Sequence, residues 1–342
     1  MPHRSRLLDN CSVCITGTMR RRAAAVLYCC CLTAASTQPC DAAIAAATKL
    51  DVEKTQRHLA IVRQRDLPCV ADVGAWALRV AQAGENALKQ GDAKSATKLL
   101  GAAWALAPVD ESLTAKYISV LGFVDALTRK EEVIADAVAR GLWRDPLQRP
   151  GVFDAAVPPT GGWPAPPPSV RTCIADLERA YADNSAAFRD EALALLGTRG
   201  YEAHEGLQDP AKPRWSYADV DDSTLEVRAP RIRAAAAAVN RTCGLRAAGV
   251  SRLEPGAVIR PHTGPTNRRW TLHLGLVVAA ADVAKLTLTV AGEARHAWAQ
   301  GRVALFDDSY EHDVVHAGLS DRVVLDLSID HPSIRADDRG DL

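Results

Sequence analysis

The chain has no excess of either charge, because its 342 residues contain 41 Lys and Arg against 41 Asp and Glu. This balance gives no general field toward nucleic acid or acidic membranes, so we expect no nucleic-acid partner. The sequence also lacks a Gly-x-Ser-x-Gly segment and a Gly-Lys-Ser/Thr phosphate loop. These absences argue against a serine-elbow hydrolase and a nucleotide-driven enzyme. Partners must be recognised by local groups.

Cysteine is scarce beyond the first forty residues. Six of the nine cysteines lie within them, which leaves Cys69, Cys173 and Cys243 for the rest of the chain. Three isolated cysteines make neither a disulfide framework nor a zinc ribbon. We expect them to be buried apolar thiols.

Residues 1–40 have a single acid, Asp9, and a basic cluster at 20–22 before an apolar run of 13 residues from Ala23 to Ala35. Read from Met19, this pattern predicts a signal peptide and entry into the secretory pathway, to the endoplasmic reticulum or Golgi. The run is short for a membrane span, which needs about 20 apolar residues. A short uncleaved anchor, tethering the chain to a membrane, and an organelle transit peptide are the alternatives.

Residues 48–141 have a helical pattern. Apolar residues recur at three- and four-residue spacing from Trp76 to Leu88 and again over 93–106, and further helices are predicted at 112–128 and 131–141. The Gly-Asp turn between the first two helices makes the segment resemble, weakly, a tetratricopeptide-like array. Such an array offers a peptide-binding groove, whereas plain helical packing offers none.

Prolines crowd the segment 142–168, which cannot be helix or central sheet and therefore marks a linker between domains. The second domain is predicted over 169–335, followed by a polar tail at 336–342. Its first part reads as an amphipathic helix at 169–196, and residues 219–223 read as a polar loop.

From Gly249 onward the apolar period changes from helix to strand. Eight short segments with strand composition follow, with glycine-containing turns at 255–256, 291–292 and 300–301. The eight segments are 250–253, 257–259, 270–278, 285–290, 294–299, 302–306, 313–315 and 323–329. Strands of this length and spacing predict a double-sheet jelly roll of the cupin-like kind, so the whole chain is α+β. The mouth of such a barrel can hold a metal and a small ligand.

Two histidines and an arginine indicate what that mouth binds. His262 and His312 are distant in sequence, but each adjoins a predicted strand, and Arg322 begins the last strand. Converging imidazoles suit iron, and an arginine on a neighbouring strand can hold a carboxylate through two hydrogen bonds. The residues alone therefore suggest an iron site with an anionic cosubstrate, which is typical of an oxygenase.

Five segments carry a more specific likeness. They are Ser251-Arg-Leu-Glu-Pro-Gly, Pro261-His-Thr-Gly-Pro-Thr-Asn, His273-Leu-Gly-Leu, Phe306-Asp-Asp-Ser-Tyr-Glu-His, and Arg322 with Asp330-His-Pro. With them the chain resembles the aspartyl/asparaginyl β-hydroxylase family over residues 143–332. The family consists of Fe(II)- and 2-oxoglutarate-dependent oxygenases on a double-stranded β-helix. The leader and helical segment also resemble members with an N-terminal membrane segment and helical repeats, though far less specifically.

The resemblance implies that His262 and His312 bind Fe(II). Most of the wider superfamily adds a carboxylate two residues after the first histidine, but Gly264 stands there. The metal would then have two protein ligands, and Asp308 would act on a metal-bound water; a direct Asp308 ligand is the alternative.

The resemblance also implies roles around the cosubstrate. Arg322 would clamp the distal carboxylate of 2-oxoglutarate, Ser251 and His273 would donate or accept hydrogen bonds, and Trp215 would wall the pocket. Arg269 matches an arginine that faces the substrate. His204, His296, His316 and His331 receive no role.

Two positions depart from the family pattern. Thr271 stands where relatives carry a second basic residue, and Cys243 lacks the nearby partner with which they form a disulfide. With Arg269 as the remaining cation, we expect an Asp side chain to be preferred over a neutral acyl chain, less strongly than in relatives with two cations.

The expected activity is hydroxylation of the β-carbon of Asp or Asn in a protein or peptide. Two alternatives remain: hydroxylation of a lipid acyl chain, because lipid A hydroxylases share the His-to-His framework, and an inactive barrel serving as a helical-repeat scaffold. Retention of both histidines and Arg322 argues against the scaffold.

Overall fold

The computed structural model describes residues 70–199, 215–220 and 229–334, together with the single positions 42, 57, 201, 202 and 207. The predicted leader, Cys69, His204 and the polar tail lie outside the described residues, so the expectations about them stay predictions. Within the described part, no helix combines the length and apolarity that a membrane crossing needs.

Four helices of the described residues form the first layer: α1 (Val70–Lys89), α2 (Ala93–Leu106), α3 (Glu111–Phe123) and α4 (Leu127–Ala139). The side chain of Asp92 caps α2 by accepting from the Ser95 amide, and Asp110 caps α3 by accepting from the Leu113 amide. Their apolar faces meet around Trp104 in a core of their own. All four predicted helices are present, but the third, predicted at 112–128, ends at Phe123, because Asp125 turns the chain with a positive φ of 56°, and the fourth begins at Leu127. The tetratricopeptide-like interpretation stays a prediction.

The proline-rich crossing runs from the helical layer to the barrel and is packed along its length. Trp143 is buried and donates its indole N–H to the Pro150 carbonyl at 3.1 Å. Gln148, also buried, donates to the Ser309 hydroxyl at 2.9 Å. The Val152 amide donates to the Pro265 carbonyl at 2.9 Å. The segment predicted as a linker is therefore fixed against the loops beside the candidate site rather than a free spacer.

In the part of the chain that the structure describes, ten strands follow, interleaved with two long helices. The helix α5 (Pro168–Arg199) confirms the predicted helix and is kinked at Asn184, and α6 (Pro230–Cys243) was not predicted. The strands are β1 (Tyr201–Glu202), β2 (Trp215–Asp219), β3 (Leu245–Leu253), β4 (Val258–His262), β5 (Arg269–Val277), β6 (Leu286–Val290), β7 (Glu293–Arg295), β8 (Val303–Phe306), β9 (His312–His316) and β10 (Arg322–Asp330).

All eight predicted strands are present as β3 to β10, with shifted ends. Two expectations need correction. The strand predicted at 294–299 ends at Arg295, and Trp298 lies beyond it. Asp219, predicted to open a polar loop, is the last residue of β2, because its pairing with Gly249 of β3 extends the sheet.

The strands form two antiparallel sheets. One has the order β1-β2-β3-β10-β5-β8 and the other the order β4-β9-β6-β7. When the strands from β3 to β10 are numbered one to eight, the larger sheet contains the order 1-8-3-6 and the smaller sheet has the order 2-7-4-5. This order is that of a double-stranded β-helix, so the predicted jelly roll is confirmed.

Helices α5 and α6 cover the outer face of the larger sheet. Strand side chains alternate between faces, so Leu272 and Leu274 of β5 and Leu325 and Leu327 of β10 pack against these helices in one core. The intervening residues of both strands point into the barrel, and they include the polar residues Thr271, His273, Asp326 and Ser328.

Candidate active site

The inward-facing residues of β5 and β10 line a cavity of about 760 Å³. It contains Thr271 and His273 from β5, and Arg322, Asp326 and Ser328 from β10. Helix α3 closes the other side with residues such as Lys116 and Phe123. Polar groups that converge inside a cavity of this size are typical of a small-molecule site.

His262 and His312 are cross-strand neighbours, paired in register where β4 meets β9. Their ring centroids are 4.1 Å apart. In each ring Nδ1 faces a backbone carbonyl two residues earlier, at 2.8 Å for His262 with Arg260 and 2.9 Å for His312 with Tyr310. Donation from Nδ1 leaves Nε2 with its lone pair, the arrangement that metal-binding histidines adopt. Burial also lowers the pKa of His312, which keeps that imidazole neutral.

Asp308 occupies the space that a side chain at position 264 would need. A Cβ on Gly264 would lie 2.4 Å from Oδ2 of Asp308. That oxygen accepts from Nη2 of Arg269 at 2.7 Å, while Oδ1 is buried without a hydrogen-bond partner. Across the described residues, no third His, Cys, Asp or Glu completes a metal-binding cluster with the two histidines. An unsatisfied carboxylate oxygen here fits a water bound to a metal.

The neighbouring Asp307 has a structural role. Its carboxylate accepts from the amide and hydroxyl of Ser309, at 3.0 and 2.6 Å, and so caps the turn after β8. Of the Asp307-Asp308 pair, only Asp308 lines the cavity.

Arg322 is a buried cation with unused donors. Its Nη2 donates to the Ser251 hydroxyl at 3.1 Å, but Nε and Nη1 have no partner. The guanidinium lies 4.8 Å from the Trp298 ring centroid. Burial lowers the pKa of Arg322 to about 9, so the group remains charged at neutral pH. A buried cation with two unsatisfied donors is destabilising unless an anion binds there, and a carboxylate matches the geometry of the fork.

Two predicted pocket residues adjoin this cation. Trp215 donates its indole N–H to the Ser251 hydroxyl at 3.0 Å and lines the cavity. His273 receives the indole N–H of Trp298 on Nδ1 at 3.2 Å, so its single proton lies on Nε2. That Nε2 is 3.5 Å from Oδ1 of Asp326. The histidine is thereby held as a neutral donor facing the cavity.

The structure adds three residues that sequence reasoning missed: Trp298, Asp326 and Tyr217. Tyr217, on β2, donates its hydroxyl to Oδ2 of Asp326 at 3.3 Å. Burial tends to raise the pKa of Asp326, but hydrogen bonds from His273 and Tyr217 and the positive charge of Arg269 bring it below the ordinary value, so the carboxylate is ionised. An acid inside the apolar run 323–329 was the available signal for Asp326.

Of the histidines without assigned roles, the structure describes His296, His316 and His331, and none of these three lines the cavity. His316 faces the Ser320 carbonyl with Nε2 at 2.9 Å, His331 packs edge-on against Trp270, and His296 is exposed. Cys173 and Cys243 are buried thiols, as predicted. They are neighbours across α5 and α6, where their hydrogen bond and burial raise the pKa of Cys173. Cys243 thus has a cysteine beside it in space that its sequence position did not reveal.

Residues 182–332 match the profile of the aspartyl/asparaginyl β-hydroxylase family. This segment belongs to that family. The chain is similar to the aspartyl/asparaginyl beta-hydroxylase of Mus musculus, with 35% identity over 179 residues that cover 50% of this chain and 24% of that protein. It is also similar to the ornithine lipid ester-linked acyl 2-hydroxylase of Rhizobium tropici, with 40% identity over 89 residues that cover 26% of this chain and 31% of the relative.

The chain thus spans about a quarter of the length of the β-hydroxylase that it matches. Among solved structures it is similar to a Pseudomonas putida prolyl-4-hydroxylase, with 16% identity, a TM-score of 0.32, and coverage of 46% of this chain and 99% of that one. A score of this size marks a remote likeness, so the jelly-roll assignment rests on the strand order above.

Proposed function

We propose that the chain is an Fe(II)- and 2-oxoglutarate-dependent oxygenase that hydroxylates the β-carbon of Asp or Asn residues in a protein or peptide. One observation carries the proposal. Two neighbouring imidazoles, His262 and His312, leave Nε2 for a metal on one sheet, and the opposite sheet holds Arg322, which is buried with unsatisfied donors. The family of residues 182–332 supports the same activity.

The residues present fit both groups. His262 and His312 would hold Fe(II) through Nε2, and Oδ1 of Asp308 would hold a water on the metal. Arg322 and Ser251 would bind the distal carboxylate of 2-oxoglutarate, with His273 as a further donor and Trp215 as a wall. When bound, the pair supplies the oxidation, in which 2-oxoglutarate and O2 become succinate and carbon dioxide and the substrate carbon gains a hydroxyl group.

A second candidate is hydroxylation of a lipid acyl chain. The similarity to the Rhizobium tropici acyl hydroxylase favours it, and so do apolar residues of α3 in the cavity wall, Ile118, Val120 and Phe123. An acyl chain would bury its methylene groups there. Peptide hydroxylation remains the first proposal because the cavity has polar side chains around Arg269, and an acyl chain has no polar group to hydrogen-bond with them.

Mass spectrometry separates the two candidates. Purified protein with Fe(II) and 2-oxoglutarate would be incubated with degenerate peptides containing Asp or Asn and, separately, with acyl lipids. We expect a gain of one oxygen atom on the peptides that disappears without 2-oxoglutarate and in His312→Ala. Oxygen gained only by the lipids would replace the peptide proposal with the lipid one.

We also propose entry into the secretory pathway, on the strength of the pattern at 1–40. Sequencing the N-terminus of the protein recovered from its native cells tests this. A mature start near residue 40 is expected, and an intact leader would instead favour the anchor.

Trp298→Phe should raise the dissociation constant of 2-oxoglutarate by about 2- to 10-fold, the effect of one neutral hydrogen bond. The change removes the indole N–H that fixes His273 but keeps an aromatic face under Arg322. Trp163→Phe is the matched control, because it loses an indole hydrogen bond to Glu293 outside the cavity. Titration calorimetry on both variants measures the difference, and equal affinities would remove Trp298 from the site.

Gly264→Ala should lower turnover by roughly 10- to 100-fold, as loss of an outer partner of a metal site does. The new Cβ displaces the Asp308 carboxylate, while both histidines stay in place and metal content is retained. Gly74→Ala serves as the control, since its Cβ would meet open space. Iron content and 2-oxoglutarate consumption are measured together. Unchanged consumption would show that Asp308 has no part in the reaction.

A further inference from the structure

We propose that Asp326 and Thr271 make this site select a neutral target side chain, an amide, over a carboxylate. The inference rests on the proposed function and names the chemical class of its substrate. It starts from an acid placed inside the site, on the same face of β10 as the cosubstrate arginine.

Asp326 contributes a full negative charge to the cavity wall. It pairs in register with His273, and Ser328, the next inward residue, pairs with Thr271. Its oxygens accept from the Tyr217 hydroxyl and face Nε2 of His273. Neither partner is a cation, because Tyr217 is a phenol and Trp298 occupies Nδ1 of His273. These contacts orient the carboxylate without neutralising it.

Arg269 is already engaged by carboxylates. Its Nη2 donates to Asp308 at 2.7 Å, and both Asp308 and Asp326 attract its charge. Among its described residues, the inner site thus sets two cations, Arg269 and Arg322, against two carboxylates, Asp308 and Asp326. Fe(II) and the 2-oxoglutarate dianion also cancel each other. A target carboxylate would therefore be the one uncompensated charge in a largely buried site, which is costly.

Among the described residues, the basic side chains of the outer wall are already paired and do not offset it. Lys116 is paired with Glu85, and Lys130 is paired with Glu311. Arg149 is 3% exposed and donates to Glu311 and to the Pro146 carbonyl. Within the described wall, each of these cations is directed at another protein group.

An amide, by contrast, matches the groups at hand. It needs one donor for its oxygen and one acceptor for its N–H groups. Nε of Arg269 is buried without a partner and can donate, while Asp326 can accept. The Thr271 hydroxyl is likewise buried without a partner and can serve in either role. The sequence predicts a preference for Asp only if Arg269 is available to pair with the substrate. In the structure Arg269 is already paired with Asp308, so we infer the opposite preference.

The experiment uses two degenerate peptide libraries that differ only in a central Asn or Asp. With the full chain, Fe(II) and 2-oxoglutarate, the Asn library should gain oxygen faster. Asp326→Asn should lower the Asn-to-Asp ratio of rates by roughly tenfold or more, the size of one charge-assisted contact. Thr271→Lys, which adds a cation without altering Asp326, should move the ratio the same way. Asp321→Asn is the control, since that acid pairs with Arg252 outside the cavity.

A binding measurement accompanies the rates. Both libraries, one isotope-labelled, are passed in the absence of oxygen over immobilised protein loaded with Fe(II) and 2-oxoglutarate, and the retained peptides are counted by mass spectrometry. Enrichment of Asn that falls in Asp326→Asn and Thr271→Lys supports the inference. Hydroxylation with equal or greater use of Asp, or a ratio that neither variant changes, overturns the inference and leaves the proposed function standing. If no peptide gains oxygen, the proposed function fails. If, in addition, the Asn and Asp peptides are retained equally, the inference fails as well.

Discussion

Arg322→Met should raise the dissociation constant of 2-oxoglutarate by about 10- to 150-fold, which corresponds to the roughly 1.5–3 kcal/mol of a charge-assisted hydrogen bond. The methionine fills similar volume but cannot hold a carboxylate. Arg322→Lys is a useful second variant, because lysine keeps the positive charge but cannot donate two parallel hydrogen bonds to a carboxylate. Its affinity for 2-oxoglutarate should therefore lie between those of the unaltered chain and Arg322→Met. Anaerobic calorimetry measures all three proteins.

The same variant carries a prediction about folding. In the absence of cosubstrate, Arg322 is a buried cation with two unsatisfied donors. Its replacement by an apolar residue should leave the free energy of unfolding unchanged or raise it. Thermal unfolding without 2-oxoglutarate tests this. A large loss of stability would mean that Arg322 supports the fold, and a weaker affinity could then no longer be assigned to a lost carboxylate clamp.

His262→Ala and His312→Ala should each abolish stoichiometric iron binding. With two protein ligands, the loss of one leaves a single imidazole. The effect should exceed the roughly 10- to 100-fold by which even a lost outer partner weakens a metal site. Metal analysis after anaerobic loading and desalting gives the stoichiometry.

His296→Ala is the matched control for these variants, because its imidazole is exposed and lies outside the cavity. It should retain iron as the unaltered chain does. Iron retained by both His262→Ala and His312→Ala would move the metal site elsewhere.

Much of the barrel could be predicted because strand side chains alternate. In β5 and β10 the leucines on one face and the polar residues on the other are visible in the sequence. β2 could not be found in that way. Its residues are half-buried at most positions, and the pairing with β3, distant in sequence, makes it a strand. The helix α6 was missed although Pro230 and the alanines at 234–238 favour a helix.

Some residues of the site could be predicted from the sequence, and others could not. His262, His312 and Arg322 lie in short motifs whose spacing resembles a known family, and the structure brings them into one cavity. Trp298 follows β7 in a loop, so its contacts with His273 and Arg322 depend on packing that no local pattern encodes. The role of Asp326 depends on the register of β10 against β5.

Asp308 shows how two distant positions share one space. Gly264 indicates that the usual carboxylate is missing, but the sequence alone could not place another carboxylate there. The structure does so, because the turn after β8 brings the Asp308 side chain against the Gly264 backbone.

We propose that this cavity oxidises 2-oxoglutarate with iron held by His262 and His312. The most direct measurement is release of labelled carbon dioxide from 2-oxoglutarate labelled at its C1 carboxyl group, with Fe(II) and oxygen and without any substrate. The unaltered chain should release label slowly, and release should stop without iron and in His312→Ala. Release of label that persists in His312→Ala would show that the reaction does not use this iron site. No release of label from a folded, iron-loaded protein that binds 2-oxoglutarate would show that the cavity does not carry out the oxidation.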